Sequence, residues 1–540
     1  MNNKELADLI FPDIKDYTYY EEKYPERNLP EGAEVLRVAP SPTGFIHIGG
    51  LFQGLLAKKI AEQTGGVFFV RIEDTDQKRK IENGVEEILG AFEKYGLSPD
   101  ETVGRGNYGP YIQSERGEIY KSYAKKLISE GKAYPCFCTP EDLEESRSNQ
   151  EKAKERTGYY GKWAKCRNMP IDMAAEKIKA GTPYVIRFRS PGNPERKIKH
   201  KDVIKGSIDF PENDLDIIII KSDGLPTYHF AHAVDDHLMR TTLVTRSDEW
   251  VSSVPLHLQL FYELGFKTPR FGHTAPLMKQ DGDSKRKLSK RKDPEAAVSY
   301  YTEEGIPKET VLEYMMNIIN SNFEMWRKQN PDKDMWEFEV DIKKMGVSGA
   351  LFDMVKMHDV SKNVISRFSA EKVYDDAKAW AMVYDEELNE MLENKDYSLK
   401  ILGIERGNQK PRKDIAKWSD LKDIIYYMYP EKFDKMDKNA FEYQKVTDKA
   451  EIEKIVKLYF EKYYNENDDK ETWFNKMKDL AEECGYAREV KEYKANPDGY
   501  KGHVGDISTV IRVTLTGKCN TPDLYEIMKI LGKEEILRRV

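Results

Sequence analysis

Apolar and polar positions alternate along the first third of the chain in a pattern that predicts a nucleotide-binding sheet. Val35-Leu36-Arg37-Val38-Ala39 is a short apolar run, stopped by Pro40-Ser41-Pro42-Thr43-Gly44. From His47 onward Leu51, Leu55, Leu56 and Ile60 recur at helical spacing. Gly65-Gly66 punctuate the chain before Val67-Phe68-Phe69-Val70-Arg71-Ile72, which reads as a buried strand. Strand, Gly/Pro loop, helix, strand is a βαβ unit, and parallel sheets of this kind bind nucleotides at the carboxyl ends of their strands. The polar residues 1 to 34, with Pro12, Pro25 and Pro30, read as an extension ahead of the first strand.

From 111 to 215 the pattern is mixed: charged helices, two close cysteines and a short strand at Tyr184 to Arg189. Asp216 to Lys221, with four consecutive isoleucines, reads as a return to a buried parallel strand. Leu243-Val244-Thr245-Arg246 is another, followed by a helix carrying Leu256, Leu260 and Leu264. Beyond Pro294 strand signals nearly vanish, and Lys308 to Asn320, Ala450 to Tyr464 and Thr521 to Leu531 are amphipathic at helical spacing. The predicted fold class is therefore α/β: a Rossmann-like nucleotide-binding domain in two halves (35–110 and 216–295) split by an α+β insertion (111–215). Two all-α regions, 296–370 and 371–540, follow.

Length and composition sharpen this in a few places. A chain of 540 residues exceeds what one core can organise. Hydrophobic residues at 39% and charged residues at 33% fit a soluble globular protein, and no apolar run approaches a membrane span. The opening MNNKELADLIFPDIKDY lacks a signal-peptide pattern, and five unevenly spaced cysteines make no disulfide framework, so a reduced, cytoplasmic protein is expected. The formal net charge of −8 argues at first against an RNA partner. Phosphate contacts need only local basic surface, however, and Arg196 to Lys201 and Lys285 to Lys292 supply it. Either run alone reads as a solvated loop.

Two constellations carry chemistry. In Arg37-Val-Ala-Pro-Ser-Pro-Thr-Gly-Phe-Ile-His47-Ile-Gly49-Gly50 a strand end, a tight loop and a helix start set backbone N–H groups where phosphates bind. The glycines allow an adenine ring close to the helix, and His47 can donate to charge building on a phosphoryl group. In Lys285-Arg-Lys287-Leu288-Ser289-Lys290-Arg291-Lys292, preceded by the mobile-looking Gln280-Asp-Gly-Asp-Ser, lysines can close over a triphosphate.

The string PSPTGFIHIGG resembles the HIGH signature of the class I aminoacyl-tRNA synthetases in the form carried by the bacterial glutamyl enzymes, and Lys287-Leu-Ser-Lys290-Arg291 resembles their KMSKS motif. The resemblance runs from about residue 35 to 540, densest in the catalytic half. It implies that ATP activates L-glutamate as an adenylate, that the amino acid passes to tRNA(Glu), and that tRNA is needed for the first step. His47, Lys287 and Lys290 then carry the catalytic role. RIEDTD (71–76), DGLPTYHFAHAVDDH (223–237) and TRSDEW (245–250) match the family's pocket. Carried over, they give Arg37, Ala39, Ser41, Glu73, Tyr228, His232 and Arg246 as glutamate contacts. The ATP contacts carried over are Pro40, Thr43, Gly44, His47, Gly49, Gly50, Glu249 and Lys290. A fork-shaped guanidinium suits the side-chain carboxylate, and Glu73 can accept from the ammonium. His232 stands where many bacterial members have asparagine, and Leu225 replaces a frequent tyrosine.

The same resemblance makes 111–215 the acceptor-stem domain, with Arg187, Arg189 and Lys197 to Lys205 as candidates for the RNA face. It makes 296–370 a stem-contact domain and 371–540 the anticodon-binding domain. Magnesium accompanies the nucleotide, and a monomer with no membrane association is expected. Some relatives hold zinc with a CxC pair and a later Cys-x-His. Here Cys136 and Cys138 are followed by Cys166-Arg-Asn168, so the histidine is missing. Tyr159 or Tyr160 is a candidate ligand, yet small buried thiols without metal are the favoured expectation over zinc. The alternatives are a form that also charges tRNA(Gln) and, disfavoured by Ser41 and by the helical C-terminal half, a glutaminyl enzyme.

Overall fold

The structure, a computed structural model, describes residues 1–540 apart from Thr43, Phe45 and 77–80. It forms two compact units, Met1–Tyr300 with Leu312–Asp353, and Tyr301–Val311 with Met354–Val540.

In the first unit the polar N-terminal segment folds into two short helices, α1 (Asn3–Ile10) and α2 (Tyr17–Lys23). Asn2 and Glu5 form a reciprocal capping box at α1, and Leu6, Ala7 and Ile10 bury themselves in the core that holds Tyr120, Tyr123 and Leu127. The βαβ unit follows as expected: β1 (Val35–Val38), α3 (Ile48–Thr64) and β2 (Val67–Val70), with β1 and β2 parallel. Gly65 ends α3 in the left-handed conformation at φ 67°. Gly54 sits where helix α4 (Gly84–Lys94) crosses, and a Cβ there would lie 2.3 Å from the Phe92 ring.

Helix α5 (Gly117–Ser129) leads into the insertion: β3 (Ala133–Cys136), α6 (Pro140–Lys152), α7 (Ile171–Lys179), β4 (Val185–Phe188), and a hairpin of β5 (Lys197–Asp202) with β6 (Gly206–Pro211). The isoleucine strand, β7 (Ile218–Ile220), corrects one expectation. It pairs antiparallel with β4, which is itself antiparallel to β3, so it closes the insertion's sheet and is not a parallel strand. A strand buried on both faces shows the same apolar run whatever its direction, so periodicity could not decide this.

Helix α8 (Tyr228–Leu238) returns the chain to β8 (Leu243–Ser247), α9 (Val254–Leu264) and β9 (Arg270–Thr274), with β8 and β9 parallel. Thr242 N–H donates to Val35 O at 3.0 Å, and Arg270 N–H donates to Thr242 O at 2.9 Å. The two parallel pairs thereby meet in the order β2–β1–β8–β9, and their carboxyl ends share one edge. The hairpin β10 (Leu277–Asp281) with β11 (Ser284–Lys287) follows, and β12 (Ala350–Leu351) adds to β10.

The second unit is helical among its described residues. Two apolar cores organise it, one around Val373, Leu388, Leu421 and Phe433, the other around Tyr459, Leu480, Ile507 and Ile511. Two of the expected amphipathic segments appear here as Lys449–Leu458 continued by a π-turn through Tyr463, and Leu524–Arg539 kinked at Gly532; the third, Lys308–Ile319, has most of its residues in the first unit.

Candidate active site

A cleft of about 720 Å³ opens along the shared carboxyl edge of the parallel strands. Its walls include Arg37, Ala39, Pro40, Ser41, His47, Gly49, Gly50, Glu73, Tyr228, Arg246, Glu249, Lys287 and Lys290, all expected from the sequence. Chain reversal through βαβ crossovers explains the convergence, because every parallel strand delivers its end to the same side. His232 and Gly44 do not line the cleft. Thr43 lies outside the described residues. Gly44 has φ 147°, a backbone conformation that favours glycine. His232 is fully buried behind Tyr228, the rings parallel with centroids 5.8 Å apart.

His232 instead belongs to a buried charge network built on α8. Asp236 accepts from Arg37 Nε at 3.2 Å, from Arg71 Nη1 at 2.8 Å and from His232 Nδ1 at 2.7 Å. Asp235 accepts from Arg116 Nε at 2.6 Å, from Gln113 at 2.9 Å and from the Tyr120 hydroxyl at 2.8 Å. Burial works against the Asp236 carboxylate, but Arg37, His232 and Arg71 together hold it well below the usual range. His232 moves the other way: burial pushes it down to about 4, so it is neutral at pH 7 and gives its Nδ1 proton to Asp236. Arg71 Nη2 also reaches Glu73 at 3.1 Å, fixing that carboxylate at the cleft wall, where burial raises its pKa despite Arg71 and Arg37. Sequence reasoning missed Asp235 and Asp236. Nothing in their local sequence set them apart from solvated carboxylates on a helix.

On the cleft wall Arg246 keeps two buried donors unspent. It is 6% exposed, its Nε–H donates to His273 Nε2 at 3.0 Å, and neither Nη1 nor Nη2 has a hydrogen-bond partner among the described residues. Two such buried donors in a fork await a planar, anionic acceptor. Trp250, which the sequence did not single out, packs on Tyr228 with centroids 4.3 Å apart and completes this end.

The opposite end is basic. His47 caps α3, its Nδ1 accepting from Gly49 N–H at 2.9 Å, which leaves the ring proton on Nε2. Burial, then Lys290 and Lys287, lower His47 to about 4, so it is a neutral donor across the physiological range. A Cβ on Gly49 would stand 3.1 Å from His47 Nδ1, so this glycine protects the cap. Lys287 pairs with Glu249 at 2.7 Å. Exposed pairs of this kind are worth only about 0–1 kcal/mol, which a polyphosphate easily replaces.

The stretch before these lysines, expected to be mobile, takes the form of a hairpin. Asp281 pairs with Ser284 around a two-residue turn in which Gly282 has φ 58°. Asp293 then accepts from Arg286 at 2.6 and 2.7 Å and from Ser289 N–H at 2.8 Å, pinning the loop that carries Lys290.

In the insertion the thiols of Cys136, Cys138 and Cys166 lie within 4.8 Å of one another. The Tyr159 hydroxyl stands 3.3 Å from both Cys136 and Cys138. Hydrogen bonding from Cys166 pulls the Cys136 thiol down, so the trio already favours one thiolate. Arg187, expected on the RNA face, is buried: its guanidinium lies over the Tyr159 ring and donates to Asp216 O. Lys197, Lys199 and Lys201 are exposed on the outer face of β5.

Residues 35–342 match the family model of the class I tRNA synthetase catalytic domain of glutamate and glutamine type, and residues 372–540 match an anticodon binding domain. The chain therefore belongs to the class I aminoacyl-tRNA synthetases, with the catalytic domain followed by a helical anticodon-binding region. Among curated relatives, a glutamate–tRNA ligase of Clostridium perfringens (strain 13 / Type A) is 50% identical over 547 residues, covering 100% of each chain. One from Acetivibrio thermocellus is 48% identical over 547 residues, covering 100% of this chain and 99% of the relative. A crystal structure of the Elizabethkingia meningosepticum CCUG26117 glutamate tRNA ligase, solved with its amino acid, superposes with a TM-score of 0.73 at 27% identity, covering 94% of this chain and 98% of that one.

Proposed function

We infer that the chain is a glutamate–tRNA ligase: it activates L-glutamate with ATP and esterifies it to the 3′-terminal adenosine of tRNA(Glu). The observation that carries the substrate assignment is the pair of unpartnered Arg246 nitrogens on the cleft wall. They match a side-chain carboxylate, whereas a glutamine amide would turn its own N–H groups against one of them. With the side chain held there, the α-ammonium faces Glu73. The α-carboxylate then points toward the basic end. Its oxygen attacks the α-phosphorus of ATP, the bond to the bridging oxygen breaks, and pyrophosphate leaves. His47 Nε2–H and the ammonium of Lys290 donate to the developing phosphoryl charge, so positioning and electrostatics supply the acceleration and no side-chain nucleophile is required. The ribose hydroxyl of tRNA then attacks the acyl carbon, AMP departs and the hydroxyl proton is lost. Magnesium would accompany the triphosphate and would help to neutralise its charge.

For RNA, the exposed lysines of β5 suit the acceptor end. The same reading makes the protein a cytoplasmic monomer. Among the described residues no helix is long and apolar enough to cross a membrane.

Glutamate should drive ATP–pyrophosphate exchange in the presence of tRNA, and glutamine should not. Lys290→Ala is expected to slow that exchange on the order of a hundredfold, the cost of one preorganised donor to transition-state charge. Equal exchange with glutamine, or a Lys290→Ala enzyme as fast as the parent, would overturn the assignment.

The thiol trio and Tyr159 also form a donor set that fits zinc, against the expectation of a metal-free site. Cys136, Cys138, Cys166 and the Tyr159 hydroxyl would hold the ion, which would act as a structural cross-link in the insertion. Metal analysis of the purified protein is expected to find one zinc per chain, lost in Cys138→Ser. A metal-free preparation with intact folding and activity would refute this.

A further inference from the structure

The hydrogen bond that holds Arg246 runs from its Nε, and its acceptor comes from a part of the chain distant in sequence. Nε–H donates to His273 Nε2 at 3.0 Å. That nitrogen can accept only while the ring proton resides on Nδ1, and Nδ1 stands 2.6 Å from Asp202 Oδ2. The other oxygen of the same carboxylate accepts from Ile204 N–H at 2.9 Å and from Lys205 N–H at 2.8 Å, so the carboxylate cannot rotate away. Asp202 is 2% exposed and His273 is fully buried. The three side chains come from β5, β9 and β8.

We propose that Asp202 and His273 are positioning residues for the amino-acid substrate: the carboxylate fixes the imidazole tautomer, and the imidazole aims Arg246 so that Nη1 and Nη2 face the cleft. The proposal rests on the reading of Arg246 as the anchor of the glutamate side chain. Neither residue lies in a motif, and neither lines the cleft. Both act through Arg246, as outer partners do when they fix the orientation of a binding group.

The relay makes an isosteric substitution informative. In Asp202→Asn the two backbone donors keep the amide oxygen at the Oδ1 position, so the amide nitrogen falls at Oδ2 and points N–H at His273 Nδ1. The ring proton is driven to Nε2, where it opposes Arg246 Nε–H. With the full-length enzyme and tRNA, KM for glutamate is expected to rise about tenfold or more while KM for ATP and kcat at saturating glutamate change little. The ¹⁵N imidazole signals of His273 should switch from the Nδ1–H to the Nε2–H pattern. Should Asp202→Asn not fold, His273→Leu is expected to give the same selective rise, and His273→Gln, which restores an acceptor, to recover most of it. An unchanged KM for glutamate in these variants, while Arg246→Ala raises it, would overturn the relay alone. An equal loss toward ATP and glutamate with a lowered Tm would reduce Asp202 to a fold-stabilising residue. If Arg246→Ala also leaves KM unchanged, the anchor reading itself has failed and the relay falls with it.

Discussion

Arg246→Ala is expected to lower kcat/KM for glutamate by roughly a hundred- to ten-thousandfold, because two charge-assisted hydrogen bonds of about 1.5–3 kcal/mol each are removed from a buried site. The loss should sit mainly in KM for glutamate. KM for ATP should hardly move, since His47, Lys287 and Lys290 line the opposite end of the cleft. Arg246→Lys should recover little: an ammonium cannot reproduce the fork, and its strong hydration resists a pocket walled by Trp250 and Tyr228. Fold stability should change less than is usual for a buried arginine. Its two terminal nitrogens lack partners in the free protein, so their desolvation is uncompensated there and removing them relieves a cost. Steady-state exchange kinetics with glutamate and ATP varied separately, beside a thermal melt, would check all three statements. A variant whose kcat/KM for glutamate stays within tenfold of the parent would place the carboxylate elsewhere.

Arg246 could be read from the sequence for a reason that also explains what could not. It sits near the carboxyl end of an apolar strand, as Arg37 does and as Glu73 stands just past β2, and parallel strands send their ends to one edge. Local order along the chain was therefore enough to place those groups, together with His47 at the helix start. Asp236 is different in kind. Its partners Arg71 and Arg37 lie 165 and 199 residues away, and nothing near Asp236 distinguishes a buried counter-ion from a solvated carboxylate on a helix. Tyr159 was visible only as one of two neighbouring tyrosines, since a hydroxyl's approach to two thiols is a tertiary fact. Arg187 reads as basic surface until β4 is seen to be the middle strand of an antiparallel sheet, which turns it inward. The direction of β7 stayed hidden because pairing partners, not hydrophobicity, set it. Both motif segments were legible, but the clamp of Asp293 on Arg286, which decides how firmly the lysine loop is held, depends on geometry that no spacing rule encodes.

Asp236→Ala should be the most destabilising single change near the site. Its carboxylate serves Arg37, Arg71 and His232 at once, and Asp236, Arg71 and His232 are essentially fully buried. Removing it strands Arg37 and leaves Arg71 with only Glu73 and Asp235, a loss on the order of 3–5 kcal/mol and a large share of the roughly 5–15 kcal/mol that keeps a typical protein folded. Asp236→Asn should cost less, because its amide oxygen can still accept from one arginine. The acid limb separates charge from shape. The folded pKa of Asp236 lies well below its unfolded value, so its stabilisation is complete above the unfolded carboxyl pKa of about 4 and is lost as pH falls toward the folded one. The gap in stability between the parent and Asp236→Asn should therefore be widest near neutrality and close progressively below pH of about 4. Calorimetric melts of both proteins across that range would measure it, following the transition of the unit that holds the cleft. A gap that stayed constant with pH would mean that Asp236 acts through packing, and that Arg37 and Arg71 take their counter-charge from Glu73 and Asp235 instead.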